Sequence, residues 1–136
     1  MTTTRRAGWA AGLLTALALA AGCGGPATGE VDGSVTVDGQ TPPPGSSITF
    51  VPRDGKAPTA GALLKDGRYA ARVPVGPAKV EIRVPRVLGK KAAREGPGAK
   101  GDRVEESLPA RYNDKTELTL DVRPGKNEKS WDLKTK

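Results

Sequence analysis

Short runs of alternating apolar and polar residues recur along the chain, and glycine, proline or aspartate ends most of them. In the clearest run, residues 79–84, valine or isoleucine at every even position alternates with a charged residue at every odd position. A period of two places successive side chains on opposite faces of a β-strand, so this run predicts a strand with one buried face. Similar runs predict strands around Val35 and Val37, around Ile48 and Phe50, and over residues 60–64, 69–73, 118–122 and 131–133.

The segments between these runs carry residues that favour turns. Asp-Gly pairs at 38–39, 54–55 and 66–67 tolerate positive φ, and residues 124–127 (Pro-Gly-Lys-Asn) predict a tight turn before the last strand. No segment has apolar residues at helical spacing over three turns. We therefore predict an all-β fold, a seven-stranded antiparallel β-sandwich in which Phe50, Tyr69 and Trp131 face the core.

The composition lacks the residues that several common kinds of functional site need. The 136-residue chain has no histidine and one cysteine, Cys23, so it lacks the usual histidine and cysteine ligands of zinc, the usual general base and any internal disulfide. Asp102, Glu105 and Glu106 are close in sequence, but their polar surroundings favour a solvated charge cluster over a catalytic pair. The sequence predicts no enzymatic activity, no cofactor and no metal site.

The first 22 residues have the pattern of a secretory signal. Arg5 and Arg6 precede an apolar segment, 13–21, that is too short to span a membrane comfortably. The Gly22-Cys23 junction resembles the lipobox of bacterial lipoproteins, although Ala20 stands where that family prefers leucine. The resemblance implies that cleavage leaves Cys23 first and that its thiol carries a diacylglycerol. The alternatives are a small buried residue or an unmodified thiol in an ordinary signal peptide.

Cleavage before Cys23 would divide the chain into a signal peptide (1–22), a lipidated linker (23–30) and a β-sandwich domain (31–136). The signal holds two of the 22 Lys and Arg residues and none of the 15 Asp and Glu residues, which leaves a mature net charge of +5. Outside the cytoplasm, anionic lipid headgroups and acidic polysaccharides are more accessible to a basic domain than nucleic acid is. We expect a membrane-anchored lipoprotein, and Gly24, in place of a retention aspartate, favours the outer membrane or periplasmic face.

The longest segment without alternation covers residues 85–115 and begins with a basic excess. Its first part sets six basic residues against Glu95 and Asp102, namely Arg86, Lys90, Lys91, Arg94, Lys100 and Arg103. We interpret 85–115 as a long basic loop that contacts an anionic surface, either lipid headgroups or acidic glycan; a merely solvated hairpin is the alternative. No aromatic residue interleaves with these basic residues, which argues against nucleic acid.

Six motifs occur in an order found in a known family. They are VDGSVTVDGQ (31–40), ITFVP (48–52), DGRY (66–69), GPAKV (76–80), LPARY (108–112) and PGKN (124–127). This ordered set resembles the transthyretin-like or carboxypeptidase-regulatory-like domain lipoproteins of planctomycetes, over about residues 23–133. The resemblance implies a prealbumin-like or immunoglobulin-like sandwich on a lipid anchor and no established activity. The hydroxyisourate hydrolases of the broader group depend on histidines and on a Tyr-Arg-Gly-Ser ending, and this chain has neither.

Together these features favour a non-enzymatic, lipid-anchored envelope protein, a structural or interaction module whose partner is an envelope protein or polysaccharide. One alternative is a lipoprotein that binds carbohydrate or another envelope polymer. Another is an accessory subunit that pairs an exposed sheet edge with a larger partner. Tyr112 is the aromatic residue available outside the predicted core after cleavage, and it could either stack on a sugar ring or pin its own loop to the sheet.

Overall fold

The computed structural model describes residues 24–88 and 103–136. Cys23, Lys90, Lys91, Arg94 and Lys100 therefore lie outside the described residues. The strands of the described part are β1 (Thr28–Val37), β2 (Ser47–Pro52), β3 (Ala60–Leu63), β4 (Arg68–Pro74), β5 (Gly76–Arg83), β6 (Pro85–Leu88), β7 (Arg103–Glu106), β8 (Thr119–Val122), β9 (Gly125–Glu128) and β10 (Trp131–Leu133), with one 3-10 turn at Ala110–Tyr112. The predicted all-β fold is confirmed.

In the described part of the chain, the strands form two four-stranded sheets and a separate ribbon. In sheet A, β1 pairs with β4 antiparallel on one side and, on the other, with β9 and then β10, both parallel. Sheet B is antiparallel, in the order β3-β2-β5-β8. The ribbon consists of β6 and β7, which pair with each other. Among these residues no helix is long and apolar enough to cross a membrane.

The core lies between the inner faces of the two sheets, where alternation places the apolar side chains. Its members from both sheets are almost completely buried, namely Val31, Val35, Ile48, Phe50, Tyr69, Val73, Val80, Ile82, Val122 and Leu133. The rings of Phe50 in sheet B and Tyr69 in sheet A lie 6.0 Å apart and are tilted by 45°. Trp131 is only partly buried and packs against this core. The sequence predicted that Phe50, Tyr69 and Trp131 face the core, but it did not predict that Trp131 would be less buried than the other two.

β1 is longer than its apolar pattern predicts. It begins at Thr28, inside the segment interpreted as a linker, and its buried face includes Gly29 and Gly33. Because glycine has no apolar side chain, the alternation of buried and exposed positions in β1 cannot be recognised in the sequence. Both are needed because other main chain lies against them: a Cβ on Gly29 would be 2.2 Å from the Arg123 carbonyl oxygen.

Gly33 lies under the short link between β9 and β10. A Cβ on Gly33 would be 1.9 Å from the Lys129 carbonyl oxygen, closer than any real contact. Tyr69, which is paired with Gly33 in the register, donates its hydroxyl hydrogen to that same carbonyl at 2.5 Å. The Lys129 N–H also donates to the Asp32 carbonyl at 2.9 Å. The missing side chain at position 33 thus lets the C-terminal segment lie directly on β1.

The predicted turn at residues 124–127 is wrong, because Gly125–Glu128 forms strand β9 beside β1. Gly125, at a φ of +85°, instead marks the change of direction between β8 in sheet B and β9 in sheet A. The Asn127 side chain closes this corner: its Nδ2 donates to the Arg123 carbonyl at 2.8 Å, and its Oδ1 accepts from the Arg123 N–H at 2.9 Å. The Asp-Gly turns at 38–39 and 66–67 are confirmed by positive φ at all four residues.

The segment interpreted as a long loop, 85–115, has regular structure at both ends of its described part. Pro85 is paired with Glu106 and Leu88 with Arg103, which makes the ribbon, and a 3-10 turn follows at Ala110–Tyr112. The sequence concealed this because the pairing strands have no clean alternation and are separated by residues 89–102, which lie outside the described residues.

Candidate functional site

The sandwich has two ends: the entry end, where residues 24–27 lead into β1, and the ribbon end, where β5 leads into β6. At the entry end, Ala27, Pro74 and Gly125 come together: the Val75 N–H donates to the Ala27 carbonyl at 2.8 Å, and the next residues of β1 are paired with Pro74 and Gly125. β5 leaves the entry end at Gly76 and reaches Arg83 at the other end. At about 3.3 Å per residue, the eight residues of β5 separate the two ends by about 25 Å.

The ribbon starts from this second end, the ribbon end, and its base is fixed by hydrogen bonds. Glu106 Oε1 accepts from the backbone N–H groups of Val84 and Leu108, each at 3.0 Å. Ser107 donates to the Val84 carbonyl through both its N–H, at 3.0 Å, and its hydroxyl, at 2.7 Å. Glu106 is therefore a structural acceptor and not a member of a solvated charge cluster.

Two of the six predicted contact residues fall within the described residues. Arg86 and Glu105 are both more than half exposed, and Arg86 Nη2 lies 3.6 Å from Glu105 Oε2. An exposed pair of this kind contributes about 0–1 kcal/mol, so it leaves Arg86 available to another anion. Arg103 lies in β7 opposite Leu88. Lys90, Lys91, Arg94, Lys100 and Asp102 are outside the described residues, so the predicted contact set stays a prediction.

Tyr112 is held against the C-terminal segment. Its hydroxyl accepts from the Lys134 N–H at 3.2 Å, and neighbouring Arg111 donates through Nη2 to the Lys134 carbonyl at 2.9 Å. The Arg111 guanidinium also lies over the Tyr112 ring, 4.8 Å from its centroid. The hydrogen bond from Lys134 and the adjacent Arg111 lower the pKa of the Tyr112 hydroxyl. These contacts favour the pinning role over sugar stacking, because Arg111 already covers a face of the ring.

Two exposed carboxylates hold β10 and the residues after it against the end of β1. Asp38 accepts from Thr135 twice, from the hydroxyl at 2.5 Å and from the N–H at 3.1 Å. Asp132 accepts from the Thr36 hydroxyl at 3.0 Å and lies 3.2 Å from Lys134 Nζ. The hydrogen bonds from Thr135 lower the pKa of Asp38, and those from Thr36 and Lys134 lower the pKa of Asp132.

The outer edge of sheet B at β3 is a feature that the sequence did not single out. Leu64 donates its N–H to the Ser46 carbonyl at 2.8 Å, so the even residues of β3 bond to β2. On the opposite side, Lys65 exchanges two backbone hydrogen bonds with Arg68 at the start of β4. The Leu63 side chain is 72% exposed. A shallow depression of about 490 Å³, lined in part by Arg68 and Tyr69, lies beside Leu63. The absence of charge from residues 57–64 was the available signal.

No family model, curated protein or solved structure matches this chain. Within residues 24–88 and 103–136, no three His, Cys, Asp or Glu side chains come together as a metal site would require. The candidate site is therefore the ribbon end, with the exposed Arg86.

Proposed function

We propose that this chain is a non-enzymatic, lipid-anchored protein of the cell envelope, a structural or interaction module attached to a membrane through Cys23. The observation that carries the proposal is the short connection between Cys23 and the sandwich. Four exposed residues, 24–27, separate Cys23 from β1, and at about 3.5 Å per residue they span at most about 14 Å. Since the Ala27 carbonyl is already bonded to Val75, a lipid on Cys23 would hold the entry end close to the bilayer.

The anchoring strength follows from the buried hydrocarbon. Each buried methylene contributes about 0.8 kcal/mol, so one acyl chain binds reversibly whereas two or more hold a protein firmly. The mature chain would then stay at the membrane, with the ribbon end directed away from it by the length of β5. This orientation supports a module that presents the ribbon to a partner beyond the anchoring bilayer.

The described polar side chains of the ribbon are engaged in hydrogen bonds and an ion pair, which supports a contact surface over a catalytic site. Glu106 and Ser107 form the base of the ribbon, and Glu105 pairs with Arg86. The second candidate function, binding of an acidic envelope polymer, is favoured by the exposed Arg86 on a ribbon whose connecting sequence carries four more basic residues. A soluble acidic glycan that raises the melting temperature would favour that second function.

The test of the anchor compares the wild-type chain with a Cys23→Ser variant. We expect the wild type in the membrane fraction, with an intact mass that starts at Cys23 and carries acyl groups. The variant should lack the acyl mass and leave the membrane fraction. An unacylated wild-type species cleaved elsewhere would contradict the proposal.

The orientation can be measured on the same material, because an acylated Cys23 has no free thiol to compete for a label. A fluorophore on Lys126→Cys, in β9 near the entry end, is compared with one on Glu105→Cys in the ribbon. Both positions are exposed, so both variants should fold. We expect a headgroup quencher to quench the first label more strongly than the second, and equal quenching would contradict the proposed orientation.

A further inference from the structure

The entry end carries an exposed apolar residue between two basic ones. Val75 lies in the turn between β4 and β5, at the end of the sandwich, and is 37% exposed. On one side of this turn, Arg53 begins the connection after β2 and donates its N–H to the Pro77 carbonyl at 3.0 Å. On the other side, Arg123 directly follows β8, whose last residue is paired with Gly76. Val75 is therefore flanked by an arginine from each neighbouring strand.

The connecting segments of the entry end have a basic excess. These segments are 24–27, 53–59, 74–76 and 123–126. They contain one acidic residue, Asp54, and four basic ones, namely Arg53, Lys56, Arg123 and Lys126. All four basic residues are exposed, and the ion pairs formed among the described residues involve other basic side chains. The entry end thus presents a net charge of +3 to the outside.

We propose that the entry end is a membrane-contact surface that binds anionic lipid headgroups. We call it the entry surface, and it is formed by Val75 with Arg53, Lys56, Arg123 and Lys126. Val75 enters the bilayer interface while the four basic side chains contact the headgroups around it. The inference rests on the proposed anchor at Cys23 and goes beyond it, because a lipid on a short connection does not by itself fix the tilt of the sandwich.

The length of the connection brings the entry surface to the bilayer. Residues 24–27 span at most about 14 Å, and the Ala27 carbonyl accepts a hydrogen bond from the N–H of Val75 itself. The negative potential of an anionic membrane falls off within about 8–10 Å of its surface, so a connection this short brings the basic side chains within its range. Because the anchor makes the contact intramolecular, attractions that are weak singly are sufficient.

The ribbon end fits this role less well. Its described connecting segments, 38–46, 65–67, 107–118 and 134–136, mix five basic residues with four acidic ones. Arg111 is already engaged there with the Lys134 carbonyl, and Asp38 with Thr135. The length of β5 also places this end about 25 Å from the entry surface. Headgroup contact at the entry surface therefore leaves the ribbon end away from the bilayer.

The test uses the acylated full chain in vesicles. A fluorophore is attached to Thr59→Cys, an exposed position in the connection after β2, and a quencher is carried on the lipid headgroups. One set of vesicles is phosphatidylcholine, and the other mixes phosphatidylcholine with phosphatidylglycerol. We expect quenching to be about threefold stronger in the anionic vesicles at low salt, and we expect high salt to remove the difference.

Three variants of the labelled chain sharpen the test, and all change exposed residues. The double variant Arg53→Gln with Arg123→Gln should remove most of the difference between the two kinds of vesicle. Arg68→Gln with Arg86→Gln is the matched control: it removes two arginines away from the entry end and should leave the difference unchanged. Val75→Ser should weaken quenching at both low and high salt, because burial of an apolar side chain does not depend on charge.

The outcomes separate this inference from the anchor on which it rests. A wild-type chain without acyl mass would overturn the proposed anchor and the entry surface with it. An acylated chain that is quenched equally in both kinds of vesicle would overturn the entry surface alone. A dependence on lipid charge that survives Arg53→Gln with Arg123→Gln, or that disappears in the control pair, would also overturn it.

Discussion

Sheets A and B contain similar numbers of residues but are held together in different ways. Sheet B follows the simple rule of alternation, and its inner face is continuous apolar surface from Ile48, Phe50, Val80 and Ile82. Sheet A is built on β1, whose inner face is interrupted by two glycines and whose parallel partners come from the C-terminal end of the chain.

The difference shows that the two sheets respond to different perturbations. Sheet B gains its stability mainly from burial, which tolerates changes of shape that keep volume and apolarity. Sheet A depends on close approach of main chains at Gly33, on the hydrogen bond that Tyr69 donates, and on those that Asp38 and Asp132 accept. Its stability should therefore change when single atoms are added and when pH changes.

The largest expected effect is that of Gly33→Ala. The new Cβ would meet the Lys129 carbonyl oxygen at 1.9 Å, so the link between β9 and β10 must move away from β1. We expect a loss of about 2–4 kcal/mol in the free energy of unfolding, measured by urea denaturation. Gly25→Ala, whose Cβ has open space within 4 Å, should change it by less than about 0.5 kcal/mol. An unchanged midpoint for Gly33→Ala would mean that sheet A does not need this close contact.

Tyr69→Phe should have a smaller effect that depends on alkaline pH. The variant loses the hydrogen bond to the Lys129 carbonyl and should be about 1 kcal/mol less stable than the wild type near pH 7. Burial raises the pKa of the Tyr69 hydroxyl, although the adjacent Trp131 indole partly offsets this. A raised pKa means that the folded state retains the proton, so this stabilisation is complete below about pH 10 and is lost as the pH rises further.

The measurement is the difference in melting temperature between wild type and Tyr69→Phe from pH 8 to 11.5, and we expect the difference to shrink above about pH 10. Tyr112→Phe is the control, because the pKa of Tyr112 is lowered and its titration has the opposite sign. A pH-independent difference for Tyr69→Phe would show that its hydroxyl does not stabilise sheet A in this way.

The smallest effect is local and occurs at acid pH. The lowered pKa values of Asp38 and Asp132 mean that their stabilisation is present above the ordinary aspartate pKa of about 4 and is lost as the pH falls below it. We expect amide exchange at Leu133 and Thr135, corrected for the intrinsic rate, to accelerate below that pH while β5 in sheet B stays protected. Asp38→Asn should remove part of this pH dependence, and parallel behaviour of β5 and β10 would contradict the contrast between the sheets.

Much of sheet B was predictable from the sequence, because alternation is a local property of each strand. Residues 79–84 and the pair Ile48 and Phe50 carry their direction in their own spacing, so β2 and β5 and their buried faces were expected. β9 was not, since residues 124–127 (Pro-Gly-Lys-Asn) have the composition of a turn, and Gly125–Glu128 forms a strand because it pairs with β1. At the candidate site, the basic residues were visible as composition, whereas the hydrogen bonds of Glu106 and Ser107 that fix the base of the ribbon required the pairing of distant segments.

The sequence by itself determined the fold class and the lack of histidine and of a second cysteine, because these depend only on residue type and short spacing. The tertiary structure alone decided which strands are neighbours. Ser34 and Ser130 share a hydrogen bond although 96 positions separate them, and Gly33 is buried only because the C-terminal main chain lies on it. Contacts between distant segments depend on the shape of both partners, and a pattern read along one segment cannot contain that information.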